Sequence, residues 1–184
     1  MFNAIEVNQA NSAQNAAFAE AKAQFGGVIN LFKVSAHAPN VLSGILAFNK
    51  AVLDTCELSH AQVELVAMLT SALNRCDYCV NVHMQVGKLH GLTKEQMLDA
   101  MLAKANTPKE QALLAYTNEV IRNRGQVSDE VLSAASQVGF SEKALLEVIG
   151  IIGVYTSLQY IRHVANPEHD FPMVKEFDAQ VHGA

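Results

Sequence analysis

Residues 75 to 88, RCDYCVNVHMQVGK, place two of the chain's three cysteines three apart, with a histidine four positions beyond the second. On an α-helix each residue turns by about 100°, so Cys76, Cys79 and His83, at i, i+3 and i+7, fall on one stripe. A helix beginning near Arg75 to Asp77 sets Cys76 at or before its first turn, where free amides and the positive dipole end favour a thiolate. His83, one turn past Cys79, can take a thiol proton or hold it as an imidazolium. Upstream, Glu64 interrupts the apolar run VELVAMLTSAL, where a carboxylate is costly to bury without a partner, and His83 is the natural candidate. These four side chains could run thiol redox chemistry.

Two helices must position them, over 60–74 and about 76–90, joined by the short turn NRC and folded back antiparallel. Glu64 is twelve residues before Cys76 and His83 seven after it, so they meet only if the second helix starts late or tilts.

The remaining punctuation is also helical, with apolar residues recurring at three and four rather than two and no NG or DG hairpin signal. NSAQNAAFAEAKAQF is rich in helix formers and Gly26-Gly27 stops it. A short helix precedes another opened by Pro39 and ending near Asp54. Ser59 with Gln62, Thr93 with Gln96, and Thr107 with Glu110 fit the capping box, with Pro108 at the first helical position. Ser128 or Ser141 could cap the last two helices, and Gly91 stops the cysteine helix. The expected architecture is all-α, one domain over 1–184, a bundle of seven to eight helices. Gly150 and Gly153 allow close helix approach, for packing or a subunit interface.

Composition sets the class. The chain has 184 residues, half of them hydrophobic and 17% charged, enough apolar surface for a core and a hint of subunit contacts. A net charge of -5 without a Lys/Arg cluster argues against nucleic-acid or anionic-membrane partners. The longest apolar stretch, VIGIIGVYTSL, is about half the roughly 20 residues of a membrane span and reads as a buried helix. MFNAIEVNQANSAQ has neither the basic start nor the apolar stretch of a signal peptide, which predicts a cytoplasmic protein.

The pattern E-x11-C-x2-C-x3-H, formed by Glu64, Cys76, Cys79 and His83, resembles the signature of the alkyl hydroperoxidase D-like branch of the carboxymuconolactone decarboxylase superfamily. The likeness is strongest over about 40–105 and continues through GFSEKALLEVIGIIGVYTSLQYI to the tail NPEHDFPMV. It implies an all-helical, oligomeric protein whose two cysteines reduce peroxides, or serve a peroxidase partner as dithiol reductant. Glu64 and His83 would relay a proton. Better-known members have a histidine before the second cysteine, where this chain has Tyr78, and a phenol titrating near 10 cannot replace an imidazole as base. The superfamily's decarboxylases lack this cysteine pair, so their reaction is not expected.

The implied cycle starts with one thiolate attacking a hydroperoxide to give a sulfenic acid, which the other cysteine condenses to a disulfide. An external dithiol then resets the pair, and no resident cofactor is expected. Nearness to His83 favours Cys79 as attacker; expected exposure and the helix start favour Cys76, also as the sulfur a reductant reaches.

Two alternatives stand beside the peroxidase. One is a thiol-disulfide reductase or adaptor for a separate peroxidase. The other is a non-catalytic module with structural zinc, drawing on Cys76, Cys79, His83 and one of Glu64, His60 or His90. Haem attachment fails because Val80 follows Cys79. Cys56 reads as a core or helix-end residue, and His90 as a cation near a helix end. Tyr78 could donate to an intermediate or pack on another subunit. Tyr155, Tyr160, Met68, Met84 and Met97 read as core, and His163 could shape a pocket or an interface.

Overall fold

The computed structural model describes residues 2–177; nine α-helices and one short 3-10 turn lie wholly within them, with no strand among the described residues. The helices are α1 (Ser12–Phe25), α2 (Asn30–Ser35), α3 (Pro39–Leu53), α4 (His60–Leu73), α5 (Asp77–Leu89), α6 (Lys94–Met101), α7 (Pro108–Arg122), α8 (Asp129–Gln137) and α9 (Glu142–Ala165). The count exceeds the expected seven to eight, because the breaks in the chain separate every short helix from its neighbours. The all-α class is as read from the sequence.

The stops and starts have local causes. Gly26 ends α1 in the left-handed region at φ 77°, and Gly91 follows α5 at φ 85°, both conformations that an L side chain resists. Ser59 with Gln62 and Thr93 with Gln96 form reciprocal capping boxes, and Asn11 with Gln14 forms a third that the sequence reading did not single out. Thr107 departs from expectation. Its hydroxyl accepts from the Glu110 amide but donates to the Glu110 carboxylate, so the backbone N–H of Thr107 gains nothing from that side chain. Ser128 and Ser141 cap α8 and α9.

At the centre runs α4, whose residues Val63 to Ser71 are all buried. It packs on α5, α6, α7 and α9. One face closes a large apolar core with α1, α2, α3, α7 and α9. The other closes a smaller one with α5 and α6, containing Met68, Met84 and Met97 as expected. By length and composition α9 is apolar enough to cross a membrane, but here it lies against α2, α3, α4 and α7. Gly150 and Gly153 admit α3: a Cβ on Gly150 would stand 2.9 Å from a Val52 methyl, and Phe48 lies over Gly153. Along its outer side α9 exposes Leu146, Ile149, Val164 and, against the expectation of a core position, Tyr160.

Candidate active site

The hairpin of α4 and α5 assembles the motif. Because α5 begins at Asp77, Cys76 becomes its N-cap residue, and Glu64 and His83 come level across the hairpin. His83 Nδ1 lies 2.8 Å from Glu64 Oε2, with both side chains buried. With Glu64 ionised, Nδ1 carries the proton and donates it to the carboxylate, leaving Nε2 as a lone-pair acceptor.

Cys76 and Cys79 are joined as a disulfide, their Cα atoms 5.3 Å apart, and the Cys79 amide donates to Cys76 Sγ at 3.3 Å. The two sulfurs differ in access, in the opposite sense to that expected from the helix start. Cys76 is fully buried, whereas Cys79 is 5% exposed and faces a cavity. The reason is topological: the N-cap of α5 sits in the hairpin turn, and α9 covers that turn.

A polar network fastens α9 there. Asn74 Nδ2 donates to Gln159 Oε1 at 2.6 Å and to Thr156 Oγ1 at 3.1 Å, and Gln159 Nε2 donates to Ser71 Oγ at 3.1 Å. His163 Nε2 bonds the Asn74 carbonyl at 2.8 Å, which gives that histidine a structural position. The turn then passes through Arg75 in the left-handed region, at φ 55°.

The cavity beside Cys79 is small, about 50 Å³. Cys79, His83 and Tyr155 line it, and its walls are otherwise almost wholly apolar, from Phe25, Ile29, Leu31, Phe32, Val82 and Leu158. Tyr155 stands edge-on to the His83 ring, centroids 4.7 Å apart. Burial, with help from the nearby Glu64 charge, pushes its phenol well up, so it stays protonated. Tyr155 belongs to the core, as expected, and borders the cavity as well. Its i, i+3, i+4 relation to Leu158 and Gln159 was the one available signal that these three share a wall.

Tyr78 also lines the cavity, but it is buried within the protomer and its hydroxyl is taken up by the chain itself. Its hydroxyl donates to Asp170 and accepts from the Leu31 amide at 3.1 Å. Burial first, and the Asp170 carboxylate next, push this phenol far up. Neighbouring groups fix the start of α5 as well. Arg162 pairs with Asp77 at 2.7 Å, and Asn81 bonds the His169 Nδ1 at 2.9 Å and the Val174 amide at 2.7 Å. The segment from 167 to 174, singled out in the sequence only as a likeness, therefore binds directly to the cysteine helix.

His60 and His90 are not brought to the cysteines. They stack on each other, centroids 4.8 Å apart, where α4 begins and α5 ends, at the other end of the hairpin. Among the described residues no group of three or more His, Cys, Asp or Glu is arranged to hold a metal ion. Cys56 lies in the α3–α4 turn, where its thiol donates to Glu147 Oε2 at 3.6 Å.

The family model for the carboxymuconolactone decarboxylase family matches residues 39–119, which include all four motif residues. No curated protein matches the chain. Solved structures do. An uncharacterized peroxidase-related protein from Ralstonia eutropha with an alkylhydroperoxidase AhpD core is 19% identical, with 97% of this chain and 94% of that one covered and a TM-score of 0.79. The debrominase Bmp8 is 14% identical over 92% of each chain, with a TM-score of 0.77. An uncharacterized peroxidase-related protein from Silicibacter is 15% identical over 96% and 94%, with a TM-score of 0.74. At such identities the likeness is one of fold. The family match over residues 39–119 carries the motif, and over the rest of the chain the similarity to these alkylhydroperoxidase-type structures is one of fold.

Proposed function

We propose that the protein is a thiol-dependent oxidoreductase that reduces hydroperoxides through a Cys76/Cys79 dithiol-disulfide cycle. The observation that carries the reading is the shared cavity. Cys79 and His83 line it together, while Glu64 holds the far nitrogen of His83. His83 Nε2 takes the Cys79 thiol proton, and the thiolate attacks the terminal peroxide oxygen. The O–O bond breaks, the alkoxide leaves with a proton as alcohol, and Cys79 becomes a sulfenic acid. Cys76 Sγ displaces its hydroxyl as water, and the disulfide forms. An external dithiol returns two electrons and two protons, so the cycle needs no resident cofactor.

The order of attack follows access, since Cys76 is fully buried and Cys79 is the sulfur at the cavity. The same burial weighs against an adaptor that exchanges disulfides with large partners, which needs an open sulfur. A structural zinc reading loses His60 and His90 to the far end of the hairpin, and His83 and Glu64 are spent on each other. The need for a resetting dithiol suits a reducing cytoplasm. The uncharged outer side of α9 suits a homo-oligomer.

The apolar cavity walls favour one second reading. A cysteine-to-alanine form of Bmp8 was solved in complex with 2,3,4-tribromopyrrole, and it shares this fold at 13% identity over 100% of this chain and 96% of that one, with a TM-score of 0.77. Reductive dehalogenation by the same pair would convert an aryl bromide and two thiols into arene, bromide, a proton and the disulfide.

The test is stopped-flow mixing of the reduced protein with hydrogen peroxide, cumene hydroperoxide and a bromopyrrole, with free thiols counted before and after. Loss of two thiols per chain with a hydroperoxide is expected, and Cys76→Ser should accumulate a sulfenic acid at Cys79. Thiol loss with the bromopyrrole alone would replace the peroxidase by the dehalogenase. No loss with any of them, in a pair still oxidisable by a disulfide reagent, would overturn both.

A further inference from the structure

The cavity beside Cys79 is closed on one side by α2, a helix of six residues that has no side-chain cap of its own. Its first free amides are satisfied from elsewhere. The Asn30 N–H donates to both carboxylate oxygens of Asp170, each at 3.1 Å, and the Leu31 N–H donates to the Tyr78 hydroxyl at 3.1 Å. The Tyr78 hydroxyl in turn donates to Asp170. Asn30 Nδ2 adds a bond to the Glu168 carbonyl at 3.2 Å. One carboxylate thus ties three parts of the chain: the start of α2, the first turn of α5, and the segment that follows α9.

What hangs from this tie is the wall over the reactive sulfur. Ile29, Leu31 and Phe32 line the cavity with Cys79. The chain enters α2 through Gly26 and Gly27, the first at φ 77° with no heavy atom within 4 Å of the site a Cβ would take. A helix of six residues preceded by two glycines is anchored in the core by Phe32, Val34 and Ser35, so unfastening its N-terminus loosens the first turn, over the cavity.

We propose that Asp170 is a positioning residue that latches α2 over Cys79 and so sets how large a molecule reaches that sulfur. The inference rests on Cys79 being the reacting sulfur, as proposed above. Asp170 touches no reacting atom; it acts through Asn30 and Tyr78. It also accounts for Tyr78 at its position in the motif, where the phenol serves as the second half of the latch.

The experiment labels the reduced full-length protein with N-ethylmaleimide and, separately, with a bulky polyethylene-glycol maleimide. Peptide mass spectrometry then reads Cys79 and Cys56 individually. Losing bonds to a charged acceptor shifts a local opening equilibrium by about tenfold or more. Asp170→Ala should therefore raise bulky labelling of Cys79 about tenfold relative to Cys56, with a smaller rise for N-ethylmaleimide. Asp170→Asn keeps an oxygen that accepts from Asn30 and Tyr78, and should remain near the parent protein.

An unchanged Cys79:Cys56 ratio in Asp170→Ala would overturn the latch. So would a rise shared equally by both cysteines, which reports loosening of the whole fold. Equal rises in Asp170→Asn and Asp170→Ala would assign the effect to charge and likewise overturn it. Labelling requires no peroxide turnover, so the latch stands or falls separately from the peroxidase reading.

Discussion

His83 Nδ1 and Glu64 Oε2 meet at 2.8 Å across the α4–α5 hairpin, two groups nineteen residues apart that are both withdrawn from water. The carboxylate fixes the tautomer and orientation of the ring, and the ring satisfies a carboxylate that would otherwise be buried alone.

Substituting either partner should separate these two roles. His83→Ala removes the base and strands Glu64, so alkylation of Cys79 near neutral pH should fall about tenfold or more, with stability lower by about 1–3 kcal/mol. Glu64→Gln keeps a hydrogen bond to Nδ1 but loses the charge, and its alkylation rate should fall less. Iodoacetamide kinetics and denaturant melts measure the two effects. Unchanged alkylation in both variants would remove His83 and Glu64 from the proton path.

Cys56 should behave as an inert thiol. Burial pushes its titration up, and the Glu147 carboxylate accepting from it adds to the same direction. A raised thiol titration means less thiolate at neutral pH, so Cys56 should alkylate slowly there, its rate still climbing at pH values where ordinary thiols have levelled off. Cys56→Ser should leave the loss of two thiols per chain unchanged in the peroxide assay.

Two glycine substitutions should move stability in opposite directions. At Gly150 a methyl would meet Val52 at 2.9 Å, and overpacking of about 1–3 kcal/mol outweighs the roughly 1 kcal/mol that alanine gains in a helix. At Gly44, exposed within α3, no heavy atom lies within 4 Å of the added carbon. There Gly44→Ala should stabilise by about 0.5–1 kcal/mol. Thermal melts should fall for the first and rise for the second.

Asn74→Ala removes the donor that links the cysteine turn to Gln159 and Thr156. Gln159 is buried, so its carbonyl loses a partner in a place water does not replace, at a cost of about 1–3 kcal/mol. Native-state hydrogen exchange should speed up around residues 74–79 before it does in α7.

The site was legible in the sequence where its geometry follows from one helix or one hairpin. Cys76, Cys79 and His83 share a stripe by helical period alone, and Glu64 declared itself as a charge in an apolar run. Cys76 was misjudged because exposure at an N-cap depends on what covers it, and α9 arrives from about eighty residues downstream. Tyr155 is core as read, and its place at the cavity was not legible because an aromatic residue on a core helix has the same local pattern whether or not it borders a cavity. The helix α2 carries no cap because its cap, Asp170, lies 140 residues away, beyond any window that reads local signals. Thr107 and Glu110 show the reverse limit, since their spacing permits a reciprocal box that the side chains do not form.

The position of Glu64 on α4 bears on how such a protein could change over evolutionary time. The carboxylate is built into the helix against which four others pack, so a substitution there is tested at once for folding and for chemistry. The opposing wall comes from Ile29, Leu31 and Phe32 at the start of a six-residue helix that packs into the main core but holds none of the proton-handling groups. Lineages could therefore redraw the outline of an acceptable substrate by altering α2, while the proton-handling pair is inherited with the scaffold.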